Sequence, residues 1–233
     1  LGDYWKKPVI VDNKPGAGTM IGTKEVAGAA ADGHTILVVQ FPYAANPWLY
    51  KNIAYDTQKA FAPVLLAGRS PMLLVTHAQG PYRSAAELLA AARIKPNALT
   101  YGSSGAGSSN HLAMALFETA TATQMRQIPY KGSTPMLTDL AGGQFDVALD
   151  LLPHAMPFMQ SGRVRPLAIA APKRSPLLPD VPTAAEAGIP GYEVSSWHGF
   201  VVPSGTPPSV VDKLNSDLNR MLLEDEVKKA FAA

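Results

Sequence analysis

The sequence predicts an α/β protein of two lobes, and three observations carry that expectation. Short runs rich in Val, Ile and Leu alternate with stretches of helical periodicity, the order expected of βαβ units. Pro-containing turns separate nearly all of these segments, with 21 prolines and 19 glycines among 233 residues. Two Gly-rich loops, Lys14-Pro15-Gly16-Ala17-Gly18-Thr19 and Tyr101 to Ser109, each follow a β-branched or aromatic run and open an amphipathic stretch. A chain of 233 residues suits two lobes of about 100 residues each.

Along the chain, Val9–Val11 reads as a strand and Thr19–Ala30 as a helix rich in Ala and Gly. After the Asp32-Gly33 turn, Thr35–Gln40 is an apolar strand of the kind buried in parallel sheets. Phe41 to Lys59 is polar and Pro-broken, and Asn46 before Pro47 is biased away from helix. Phe61–Leu66 and Met72–His77 read as two further strands. Ser84-Ala85-Ala86-Glu87 is a capping box leading a helix to about Arg93.

The middle of the chain alternates regularly. Leu99–Tyr101, Arg126–Pro129, Val147–Leu151 and Leu167–Ala171 are strands. Ser109–Thr119, Thr134–Leu140 and Ala155–Gln160 are helices. Pro172–Gly191 is a turn-rich excursion with a short Ala-rich helix at Thr183–Ala187. Val194–Val202 is extended, and Pro207-Pro208 opens a last helix whose stripe includes Val210, Leu214 and Leu218 and runs on to Ala233 without a stop signal. The extended segments Met72–His77 and Val194–Val202 flank the middle block. Lobe one is therefore expected to hold residues 1–78 and 192–233, and lobe two residues 79–191.

Composition narrows the function. A formal charge of +2 with interspersed signs gives no reason to expect nucleic acid or an anionic membrane surface. No cysteine is present, which excludes disulfides and thiol catalysis. The five histidines show no HxxxH or HExxH spacing, so no metal site is expected, and no cofactor is expected either. His111 is read as packed or bonded to loop backbone. No Gly-x-Ser-x-Gly elbow occurs. Ile21 stands where a dinucleotide fingerprint would need its last Gly. Leu1 is not an initiator, so the sequence reads as a fragment and its start says nothing of localisation.

The two loops carry the chemistry. A strand, a Gly-rich turn and a helix start together offer unpaired N–H groups at the positive end of a dipole, an anion site without a basic side chain. An ordinary tight βα turn explains the first loop equally well. In the second, Ser103, Ser104, Ser108 and Ser109 exceed the single N-cap that a helix needs.

Several phrases are more specific. Val11-Asp12-Asn13-Lys14-Pro15-Gly16-Ala17-Gly18 resembles the VxNxPGAG loop of Bug receptors, the extracytoplasmic solute-binding proteins of tripartite tricarboxylate transporters. The resemblance continues in order through Asn46-Pro47-Trp48-Leu49-Tyr50, Tyr101 to Gly105 with His111-Leu112, Pro129 to Ser133 and Leu140 to Asp146. It closes with Lys173-Arg174-Ser175, Leu178 to Thr183, Glu186-Ala187-Gly188 and Trp197-His198-Gly199.

The resemblance implies a two-lobed type II periplasmic-binding-protein (Venus-flytrap) fold, with mixed sheets and helices on both faces. It also implies a family N-terminal strand ahead of Leu1 and helices beyond Ala233. By position, it assigns ligand contacts to Gly16, Ala17, Gly18 and Thr19, and to Ser103, Ser104, Gly105, Ala106, Gly107 and Ser108. Phe41, Tyr43 and Ala44, beyond the Thr35–Gln40 strand, are expected to line the pocket and set ligand size, although Phe41 suits the core equally well. Asp150 ends a strand and either holds an amine or hydroxyl of the ligand or caps the next turn in solvent. Lys131 is expected to be solvated, and Trp197 to pack where the chain returns between lobes.

The reading is then a non-catalytic periplasmic receptor, expected to be a monomer. It would capture a small carboxylate (a dicarboxylate, amino acid or aromatic acid) and present it to membrane permease subunits. The alternative is an α/β enzyme acting on a carboxylated small molecule through Asp150 or His111.

Overall fold

The computed structural model describes residues 1–232, with side chains through Lys229. In chain order the elements are α1 (Gly2–Trp5), a 3-10 turn (Ala17–Thr19), α2 (Met20–Ala27), β1 (Leu37–Gln40), α3 (Phe41–Leu49) and β2 (Phe61–His77). Then come α4 (Ala85–Ile94), β3 (Thr100–Ser103), α5 (Ser109–Thr121), β4 (Arg126–Pro129), α6 (Ser133–Ala141) and β5 (Val147–Leu151). The chain continues through α7 (Leu152–Gln160), β6 (Val164–Ile169), β7 (Ser195–Pro203), α8 (Pro208–Leu222) and α9 (Asp225–Ala232). Two compact units result: Leu1–Gly68 with Trp197–Ala233, and Arg69–Ser196. The divide falls inside β2, after Gly68, whereas the sequence reading put the lobe boundary at the end of that strand.

In the first unit β1 lies antiparallel on β7, with Leu37 opposite Val201 and Gln40 opposite His198. Helix α8 is amphipathic in the expected way. Leu214 and Leu218 are buried with Val64 and Val202, and Val210 and Val211 pack beside them. The Trp5 indole donates to Asp217 Oδ2 at 2.8 Å and ties α1 to this helix. A second cluster joins Val39, Phe61 and Val201 with Tyr43, Tyr55 and Trp197, so Trp197 packs in the core of this unit.

The second unit is a mixed sheet with helices on both faces. Strands β3 and β4 are parallel, as are β3 and β5, while β2 runs antiparallel to both β5 and β6. Strand alternation sorts the core. Met72, Leu74, Val147 and Leu149 face α4 and α5, where Leu88, Met114 and Phe117 are fully buried. Leu73, Val75 and Ala148 face α6 and α7 with Met136, Leu140 and Ala155. The Ser84 hydroxyl accepts from Glu87 N at 3.2 Å, the predicted N-cap of α4.

Several expectations fail for physical reasons. Val9–Val11 is not a strand: it pairs with nothing among the described residues and leaves Ile10 86 % exposed. Strand β1 is an antiparallel strand at the end of its sheet, not a buried parallel one, and Val38 is exposed. Helix forms at Phe41–Leu49 despite two prolines. Pro42 sits where the N–H has no helical partner, and Pro47 enters only the last turn. The two strands predicted at 61–77 are one continuous strand of 17 residues.

Two helices also differ. Thr183–Ala187 makes a single turn rather than a helix. A reciprocal pair of bonds between Thr183 and Glu186 starts it, and Gly188 (φ 89°) closes it at once. The last helical stripe is broken at Leu223 and Glu224 into α8 and α9.

Candidate functional site

In the second unit the parallel strands β5, β3 and β4 lie side by side, and each runs directly into a helix. The N-termini of α7, α5 and α6 therefore collect along one edge of the sheet. Each contributes free amides and a partial positive charge, the arrangement by which open α/β sheets hold anionic ligands.

The loop between β3 and α5 is more engaged with itself than the sequence suggested. Gly105 (φ 114°) and Gly107 (φ 76°) adopt backbone that favours glycine. The Ser108 hydroxyl donates to Gly105 O at 2.6 Å and accepts from His111 N at 3.3 Å, capping α5. Ser103 is fully buried. Its hydroxyl accepts from Gln127 Nε2 at 2.7 Å and from Gly105 N at 3.3 Å. The Ser104 hydroxyl donates to Asn110 Oδ1. Gly107 N donates to His111 Nδ1 at 3.2 Å, so His111 serves the loop backbone.

Three of the four Ser hydroxyls noted in the sequence thus have partners of their own. The hydroxyls of Ser103, Ser104 and Ser108 hold the loop in shape. The amides of Ser104, Ala106, Ser109 and Asn110 are free of partners among the described residues. Asn110, 2 % exposed, is the residue that the sequence reading missed. Its Nδ2 donates to Leu149 O at 3.0 Å and fastens the loop to the end of β5. Its position two residues after an N-cap carried no signal.

Asp150 is not a solvated cap, since it is 1 % exposed. Its Oδ1 accepts from Leu151 N at 2.7 Å and from the Ser133 hydroxyl at 3.1 Å, and lies 3.2 Å from His154 Nδ1. Its Oδ2 is buried and has no partner among the described residues. The hydrogen bond to Asp150 raises the His154 pKa above its ordinary value, more than half-burial lowers it. His154 should thus titrate above about 6.5, and Asp150→Asn should lower that pKa, as read from histidine C–H shifts in NMR. Because the folded value is the higher one, this pair contributes its full stability below about pH 6.5 and loses it as pH rises through the folded pKa.

Tyr130 and Lys131 precede α6. Tyr130 N donates to Ser103 O at 2.8 Å, and its hydroxyl donates to Asp139 Oδ2 at 3.0 Å. Desolvation and that bond push its pKa up to about 12. Lys131 is exposed and makes no ion pair among the described residues.

In the first unit, Gly16, Ala17, Gly18 and Thr19 all have positive φ, of 121°, 48°, 59° and 76°. For Ala17 and the β-branched Thr19 this conformation is strained. Buried Asn46 donates Nδ2 to Gly18 O at 2.8 Å and braces the loop from α3. The amides of Ala17 and Gly18 are free among the described residues. Phe41 opens α3 and is half-buried. Ala44 is exposed and lines an open groove of about 550 Å³ with Tyr43, Pro47, Trp48 and Tyr50, which Phe41 does not line. A groove of the second unit, about 700 Å³, involves Arg93, Ala115 and Glu118 near the ends of α4 and α5, and none of the residues assembled above lines it. Among the described residues, no group of three potential metal ligands occurs.

Comparison with known proteins identifies the family of the chain. Residues 2–232 match the model of the tripartite tricarboxylate transporter family receptors. The chain is 36 % identical over 235 residues to protein BugT of Bordetella pertussis, covering all of this chain and 72 % of that protein. It is 40 % identical over 224 residues to the UPF0065 protein in the tcbD-tcbE intergenic region of Pseudomonas sp. (strain P51), covering 96 % of this chain and 67 % of the relative.

Among solved structures, R. palustris Rpa4515 with adipate superposes with a TM-score of 0.89 at 38 % identity, covering 97 % of this chain and 76 % of that one. MatC from Rhodopseudomonas palustris with bound malate gives a TM-score of 0.87 at 34 % identity, covering 97 % and 78 %. The chain belongs to the tripartite tricarboxylate transporter family of receptors, solute-binding proteins rather than enzymes.

Proposed function

We propose that this receptor binds a small carboxylate through backbone amides and presents it to the membrane permease subunits of a tripartite transporter, working in the periplasm. The observation that carries the reading is the row of three helix N-termini at one sheet edge, with free amides at Ser104, Ala106, Ser109 and Asn110. Gly16 to Thr19 offers a second cradle of the same kind in the first unit. Relatives solved with adipate and malate support the ligand class. Ser103, Gly105, Gly107 and Ser108 are assigned to shaping the loop, and Asp150 to the ligand itself. Phe41 and Ala44 are retained as candidates for setting ligand size.

A thermal-shift screen of mono- and dicarboxylates on the purified protein tests this. At 100 times its dissociation constant a true ligand stabilises by about 2.7 kcal/mol, a shift of several degrees that saturates with concentration. A screen in which no carboxylate produces a saturable shift would sink the reading. Consumption of the ligand over time would instead favour an enzyme.

A further inference from the structure

We propose that Asp150 Oδ2 accepts a hydrogen bond from the ligand, so that the receptor selects a carboxylate bearing a hydroxyl or ammonium group over the same skeleton without one. The inference rests on the carboxylate-receptor reading and adds to it a rule for which carboxylates bind.

The argument begins with an imbalance within one side chain. Oδ1 faces three partners, the Leu151 amide, the Ser133 hydroxyl and His154 Nδ1, which fix the plane of the carboxylate. Oδ2 is also buried and has none among the described residues. A buried acceptor left without a donor is costly, and native proteins keep few of them. The neighbouring side-chain donors each have an acceptor of their own. The Ser133 hydroxyl serves Oδ1, Asn110 Nδ2 serves Leu149 O, and the Ser104 hydroxyl serves Asn110 Oδ1. A hydroxyl or ammonium group of a bound ligand would supply the missing donor.

Position supports the same conclusion. Asp150 lies at the end of β5, among the helix N-termini that suit an anion. A ligand bringing a second carboxylate to Oδ2 would set charge against charge. One bringing an O–H or N–H would satisfy the orphaned oxygen. Free amides and a buried carboxylate acceptor at one sheet edge discriminate in opposite senses, which is how a site rejects close analogues as well as binding its own ligand.

Calorimetric titration of the native protein with matched sets tests the rule: succinate, malate and aspartate, then glutarate, 2-hydroxyglutarate and glutamate, and adipate with 2-aminoadipate. In at least one set the hydroxy or amino member should bind about tenfold or more tightly than its parent, a difference of about 1.4 kcal/mol. The two kinds of member separately tell a hydroxyl from an ammonium donor. Asp150→Asn keeps an acceptor for the partners of Oδ1 but places an NH2 where Oδ2 stood. It should erase the preference and improve binding of the keto analogue.

Equal affinities within every set that binds would overturn the proposal and leave the carboxylate reading standing. A preference that survives unchanged in a folded Asp150→Asn protein would overturn the assignment to Asp150. If no carboxylate binds at all, both readings fall. Should the variant not fold, the native titrations alone decide.

Discussion

Gly102→Val is expected to remove most of the stability of the second unit. Gly102 sits in the middle of β3, paired on one side with Ile128 and on the other with Ala148, so the backbone cannot shift away. A Cβ there would lie 2.4 Å from Phe145 Cζ and 2.7 Å from Met136 Cγ. Both side chains are buried, Met136 completely, and neither can swing into solvent. Even Gly102→Ala should cost about 1–3 kcal/mol by overpacking. Valine adds two more methyl groups and should exceed that range, a large share of the roughly 5–15 kcal/mol that holds a domain together. Urea midpoints at constant slope measure the effect. Gly142→Ala is the control, because a Cβ there meets only ordinary contacts of 3.5 Å or more at a helix end with negative φ. Similar midpoints for the two proteins would refute the packing argument.

Gly105→Val should weaken carboxylate binding at least tenfold, while Lys131→Ala changes it no more than about twofold. At φ 114° a β-branched residue is strained, so the loop must rebuild. The Ser104 and Ala106 amides flank this position and would lose their aim. The added Cβ itself meets only Tyr130 O, at 3.7 Å, so the fold should survive and melting can confirm it. Each charge-assisted bond contributes about 1.5–3 kcal/mol, enough for the stated loss if one is broken. The opposite ranking would mean that a point charge, not a backbone cradle, holds the ligand.

What the sequence made legible, and what it did not, follows from the range of the interactions. The α4 cap at Ser84 and the helices of the middle block depend on neighbours three or four residues away, and they were read with small errors at their ends. Val9–Val11 failed because a strand needs a partner that no local pattern supplies. Phe41–Leu49 failed in the other direction, since its two prolines fall in the first and last turns and so do not break the helix. At the candidate site the Gly-rich loops announced themselves through composition. The spending of the Ser hydroxyls inside the loop did not, because it depends on Gln127 and Asn110. Asp150 was legible as a position at a strand end. That one oxygen is crowded and the other bare is a fact of three dimensions only.

The second unit is one uninterrupted stretch, Arg69–Ser196, and its two ends meet where Met72 N donates to Val194 O at 3.1 Å. The first unit is split around it, and its strand β1 finds its partner β7 only after more than 150 residues of intervening chain have been made. During synthesis, then, the second unit can close as soon as its own residues leave the ribosome. The first cannot complete the cluster around Val39 and Phe61 until Val201 arrives. A chaperone that shields apolar strands would thus meet the segment around β1 and the start of β2, and its hold should end abruptly once residues 197–203 emerge.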